Sequence, residues 1–207
     1  MAGYFEATSD GAAVALDEVE ISILRSLTVQ LLELIGPGDA DSGSEEADPL
    51  DALFAEGPSE PPTDPALARL FPDAYGEGPG GTPEAKTPEA QAEAAEARSA
   101  SAEFRRYTET DLRAGKRDAG LAVVRSLDAL RPAESGAVLT LGPEDSRVWL
   151  GVLNDLRLAL GARLEITDDE DSGELYQLPD SDPRKPMVMA FLWLGGLQET
   201  LVETLLP

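Results

Sequence analysis

The chain has 207 residues, with 40 Asp or Glu against 16 Lys or Arg, a net charge of −24 and a pI near 4.1. A field of that sign repels DNA, RNA and anionic lipid and keeps a chain soluble, while saying nothing about fold. Cysteine and histidine are both absent, which excludes disulfides, thiolate catalysis, thiol-based redox sensing and cysteine-ligated metal, and removes the commonest general base.

In chain order, GYFEATSDGAAVAL (3–16) offers two short runs around a Ser-Asp-Gly turn signal, which predicts a small β-hairpin. Asp17 and Glu20 have capping-box spacing, and Ile21, Leu24, Leu27, Leu31 and Leu34 follow at helical spacing. An amphipathic helix is expected from about 18 to 35, ended by Gly36-Pro37-Gly38. Residues 36–63 and 76–88 are acidic and rich in Pro and Gly. They are expected to be flexible inserts in a single domain, 1–207. Between them TDPALARLFPDAY (63–75) reads as a short capped helix with Pro65 at its first position, anchored by Leu67, Leu70 and Phe71.

From Pro88 the sequence turns helical. At 100° per residue, Ala97, Ala100, Phe104 and Tyr107 share one side, which is expected to be buried. Arg98, Arg105, Arg106, Arg113, Lys116 and Arg117 fall opposite, in an arc of roughly 120°. The apolar phase then shifts to Val123, Val124, Leu127 and Leu130, so a break is expected near 115–118. AVLTLG (137–142) reads as a strand pairing with the N-terminal hairpin.

Residues 143–164 make a helix opened by Pro143, with a stripe of Trp149, Val152, Leu153, Leu156, Leu160 and Leu164. Asp155 and Arg157 lie between its leucines and are expected to form a salt bridge within the fold. DDEDSGE (168–174) is an acidic loop without the spacing of a calcium loop. The last helix, about 187–205, carries Val188, Phe191, Leu194, Leu201 and Leu205 on one stripe and Leu192 and Trp193 on another face. These two either complete the core or face a second subunit, and Gly195-Gly196 suggests the close approach of another backbone. The fold class expected is mainly α (α+β): a helical bundle with a small antiparallel sheet from the hairpin and the strand at 137–141.

No catalytic signature is present, no cofactor or metal motif is found, and no stretch spans a bilayer comfortably. The basic arc has three readings: an exposed face paired with nearby acids, a contact for an acidic protein partner or the acidic linker, or a DNA contact. Net charge opposes the third, and no Asn or Gln stands beside the arginines to read bases.

Several segments in order resemble one family: EVEISILRSLTVQLLELI, DPALARLFPDAY, AEFRRYTETDLRAGKR, WLGVLNDLRLALGARLEIT and FLWLGGLQETLV. It is the actinobacterial family formerly described as a domain of unknown function and named after the oxidative-stress transcriptional regulator AosR. The resemblance implies a non-catalytic cytoplasmic regulator linked to redox balance and cysteine biosynthesis, acting with a sigma factor or RNA polymerase. The family's gene neighbourhood with the Clp adaptor ClpS implies an alternative, an adaptor or chaperone-like module of the Clp protease system. A cysteine switch is impossible here, so redox sensing must belong to other members or proceed by another route.

Overall fold

The computed structural model describes residues 3–36, 57–75, 87–131, 136–166 and 177–206. Most of the two inserts, and the acidic loop at 168–174, lie outside the described residues. The elements are β1 (Glu6–Thr8), β2 (Gly11–Leu16), α1 (Glu18–Ile35), α2 (Pro65–Leu70), α3 (Pro88–Ala129), β3 (Ala137–Leu141), α4 (Pro143–Arg163) and α5 (Lys185–Leu205). The protein is mainly helical with one small antiparallel sheet, as its sequence predicts. It falls into two compact units, Met1–Leu34 with Asp118–Pro207, and Ile35–Arg117.

In the first unit the strands run in the order β1-β2-β3. Val14 stands opposite Leu139 and Ala12 opposite Leu141. The two-residue period of a strand therefore puts Ala12, Val14, Leu16, Leu139 and Leu141 on one buried face. Gly11, at φ +148°, allows the hairpin to approach β3, since a Cβ there would lie 2.1 Å from the Leu141 carbonyl oxygen. The chain entering the sheet is held by Phe5, whose N–H donates to Thr200 Oγ1 at 3.1 Å. Its ring meets Trp149 edge-on at 6.4 Å.

Helix α1 starts where the capping box requires. The Asp17 N–H donates to Glu20 Oε2 at 2.9 Å, and the Glu20 N–H donates to Asp17 Oδ1 at 2.8 Å, satisfying two otherwise orphaned amides. Trp149, Val152, Leu153, Leu156, Leu160 and Leu164 are all buried as their spacing predicts. Of the expected α5 stripe, Val188, Leu194 and Leu201 are buried and Phe191 and Leu205 half-buried, and Leu197, outside that stripe, is buried too. Arg157 reaches Gln198 Oε1 and lies over the Phe191 ring at 5.2 Å. A guanidinium thus covers the part of the α5 stripe that the core leaves half-buried.

The expected break near 115–118 does not occur, and α3 runs unbroken from Pro88 to Ala129. One glycine inside a helix costs only about 1 kcal/mol, which packing readily offsets. The buried residues of α3, Ser101, Arg105, Glu109, Val123 and Leu127, fall within about 80° of arc at 100° per residue. Residues of α3 up to Arg117 belong to the second unit and those from Asp118 to the first. What changes along the helix is chemistry, from polar side chains before Gly115 to aliphatic ones after.

On the surface of the first unit, Arg25 Nε donates to Asp128 Oδ1 at 2.6 Å. That bond, helped by the arginine's charge, holds the Asp128 carboxyl below the usual aspartate range against the opposing effect of desolvation. A depressed folded pKa contributes stability above the unfolded pKa that is lost as pH falls through the folded one. Thermal melts of Asp128→Asn and the parent chain should therefore differ at neutral pH and converge in acid. They should also converge at high salt, because both side chains are about half exposed. A difference that persists in acid would show that the pair contributes nothing by ionisation.

Candidate functional site

The second unit is built around the basic segment. Asp64 opens α2 by accepting from the Ala66 and Leu67 amides at 2.8 and 3.0 Å, and Pro65 fills the first helical position at no cost in donors. Leu70 and Phe71 are buried at its end, where the last carbonyls of a helix have no intrahelical partner.

Arg105 answers that need. Its Nη2 donates to the Phe71 carbonyl at 3.0 Å and to Asp73 Oδ1 at 2.9 Å, while Nη1 bonds Glu109 Oε2. The side chain is only 4% exposed. Burial opposes its charge, but the bonds to Asp73 and Glu109 outweigh burial and hold its pKa above the ordinary arginine value.

One turn on, Glu109 Oε1 accepts from Arg113 Nε at 2.8 Å, and Arg113 Nη1 donates to the Ile35 carbonyl at 2.8 Å. Arg117 bonds the Gly36 carbonyl. These are the terminal carbonyls of α1, the negative pole of its dipole. Arg113 also lies 4.4 Å over the Phe71 ring, with Lys116 at 6.0 Å.

The expected exposed arc is therefore corrected in part. Arg105 is buried, and Arg106, Arg113, Lys116 and Arg117 are half-buried, which leaves Arg98 as the exposed member. Phe104 and Tyr107, expected to be buried, are 45% and 69% exposed. Tyr107 lies 5.8 Å under the Arg106 guanidinium, and Phe104 meets Tyr75 edge-on at 6.2 Å. The reason is the partner that α3 meets. Its inward face contacts helix-end carbonyls and a backbone turn, which need donors, so arginine and Ser101 face in. The Ser101 hydroxyl donates to the Tyr75 carbonyl at 2.9 Å and accepts its N–H at 3.0 Å. The spacing Arg105, Glu109, Arg113, four residues apart on one face, carried this signal in the sequence.

Two other places on the first unit were candidates or became so. Leu192 is 39% exposed and Trp193 is half-buried, its indole N–H shielded without an acceptor among the described residues. The nearest neighbours of the Gly195-Gly196 pair are side chains, where the sequence suggested another backbone. A Cβ on Gly196 would lie 2.5 Å from the Tyr4 ring, and Gly195 faces the Arg157 guanidinium. A place that sequence reasoning missed is a cleft of about 610 Å³ between α1, α4 and α5, lined mainly by apolar residues that include Leu27, Leu31, Leu34, Leu156, Leu160 and Met187, with Gln30, Glu33 and Arg163 among them. No periodicity signals it, because its walls come from three helices. Among the described residues no three acidic side chains gather as metal ligands, and no helix is long and apolar enough to cross a membrane.

The family described as a domain of unknown function (DUF2017) matches residues 1–205. The chain belongs to that family. Proteins named oxidative stress regulator AosR from Mycobacterium bovis and Mycobacterium tuberculosis are each 29% identical over 187 residues, covering 90% of this chain and 78% of theirs. A Mycobacterium leprae protein carrying the AosR name is 32% identical over the same share of the chain and 79% of its own length. No solved structure matches the chain.

Because Arg105 holds two carboxylates and a carbonyl with its side chain buried, Arg105→Ala should lose about 3–5 kcal/mol from the unit that contains it. Arg98→Ala should stay within about 0.5 kcal/mol. Chemical denaturation with limited proteolysis of residues 57–117 checks both, and equal effects from the two substitutions would refute the inward assignment.

Proposed function

We propose that this DUF2017 member is a non-catalytic regulator of the oxidative-stress response, acting in the cytoplasm through protein contacts, with a sigma factor or RNA polymerase as the partner. Family membership and the names of the mycobacterial relatives support the regulatory role. The observation that carries the choice of protein over DNA is the inward turn of Arg105, Arg113 and Arg117 onto backbone carbonyls. A guanidinium committed to a helix end contributes little to phosphate contact, and a net charge of −24 opposes approach to DNA. Contact through the exposed Arg98 would then serve an acidic protein surface better than a duplex.

Full-length protein captured after brief crosslinking in its own host should retrieve RNA polymerase subunits or a sigma factor. Retrieval of Clp protease components in their place would favour the adaptor reading. Anisotropy with duplex DNA should show no binding whose logarithm falls with the logarithm of salt. A steep salt slope would overturn the choice of partner class.

A homodimer through Leu192 and Trp193 fits the exposed leucine and the half-buried indole beside it. Two chains of charge −24 repel, so the dimer should strengthen as salt is raised. Leu192→Asp and Trp193→Ala should each give a folded monomer in sedimentation, whereas a parent chain that is monomeric at every salt concentration removes the interface.

A further inference from the structure

Sulfur is scarce in this chain, with no cysteine and three methionines, which are Met1, Met187 and Met189. Two of them flank buried Val188 near the start of α5, and a separation of two residues, about 200° around a helix, sends them to different surroundings. Met189 is 53% exposed. Met187 lines the 610 Å³ cleft against leucines of α1 and α4. A thioether suits such a wall, being apolar, polarisable and adaptable in shape.

We propose that Met187 is an oxidation site at which a two-electron oxygen donor, hydrogen peroxide, alters the packing of the cleft. The sulfur lone pair attacks one peroxide oxygen and the O–O bond breaks. An S–O bond forms, the thioether is oxidised by two electrons to the sulfoxide, and the peroxide is reduced to water. Peroxide is small and uncharged, so the protein's negative field does not exclude it from the open cleft. The sulfoxide oxygen is a strong hydrogen-bond acceptor in a lining where Leu27, Leu31 and Leu160 offer no donor and the donor side chains are those of Gln30 and Arg163. Leaving it there unsatisfied is costly. The side chain therefore turns from the leucines toward water or those donors, and the apolar walls lose the contacts it made. Oxidation of exposed Met189 has no such consequence, which makes it an internal control. The proposal deepens the oxidative-stress reading, on which it rests only for peroxide being the physiological signal. The chemistry and its structural effect stand on the cleft alone.

The test uses the full-length chain, peroxide quenched with catalase, peptide mass spectrometry and hydrogen exchange. Met187 and Met189 should each gain one oxygen. Amides of α1 from Leu27 to Leu34 and of the first turns of α5 should then exchange about tenfold faster, an increase in local opening. Met187→Leu, which keeps volume and apolarity, should abolish the acceleration, and Met189→Leu should leave it intact. A methionine sulfoxide reductase should reverse it. The proposal is overturned if Met187 remains a thioether while Met189 is oxidised. It is equally overturned if exchange in α1 is unchanged after Met187 is oxidised, or accelerates as much in Met187→Leu. These measurements concern the isolated chain, so a failure here is distinct from a failure to retrieve RNA polymerase.

Discussion

A guanidinium inserted at the end of a helix is the interaction on which the second unit depends. Helices leave their last carbonyls without intrahelical partners, and a buried carbonyl with none is destabilising by about 1–3 kcal/mol. Here α1 ends at Ile35 and α2 at Leu70, and α3 supplies Arg113 and Arg117 to the first end and Arg105 to the second. Glu109, buried between Arg105 and Arg113, compensates their charge and fixes their rotamers. Lysine could not substitute easily. Its ammonium is a point charge, whereas the planar fork of Arg105 meets a carbonyl and two carboxylates at once, and that of Arg113 can also stack on Phe71.

This arrangement changes what the charge inventory means. A count of basic residues suggests an anion-binding segment, yet much of that charge is internal to the fold. What the solvent meets is more acidic than the segment's composition implies. The first unit is held differently, by an apolar stripe on each helix and by one buried sheet face, with polar groups at caps, in hydroxyls that bond the helix backbone, at buried Asp155 and in the Arg157–Gln198 bond. Thr28 is of the second kind, fully buried with its hydroxyl donating to the Leu24 carbonyl at 2.7 Å. The buried residues of α3 are polar in the second unit and aliphatic in the first.

Most of the fold was legible because it is written in local rules. Asp17 with Glu20 gave the start of α1, Asp64-Pro65 gave α2, and Pro143 with its six-residue stripe gave α4. The alternation in AVLTL gave a strand whose partner was the remaining β segment. The inward face of α3 was not legible by the same means, because periodicity analysis assumes that apolar side chains point in. Phe104 and Tyr107 satisfied that assumption on paper and are exposed in the fold, since what lies against α3 is a set of carbonyls from residues distant in sequence. The cleft was hidden for a related reason. Leu27, Leu160 and Met187 each sit on an ordinary helix, and only their convergence makes a site.

The residue types that are missing narrow how such a protein can change state. Without histidine, its side chains belong to types that titrate in the carboxylate range or well above neutrality, so modest shifts of pH around 7 leave their charge constant. Without cysteine, no thiol can report an oxidant. The remaining ways to alter the surface are binding, covalent modification, and oxidation of the few sulfurs that the chain keeps. A wholly exposed thioether could be oxidised with little effect on structure, and a wholly buried one would be protected from the oxidant. Met187 lies between those cases, packed against leucines in a cleft open to solvent. Chemical access and structural consequence coincide at that position.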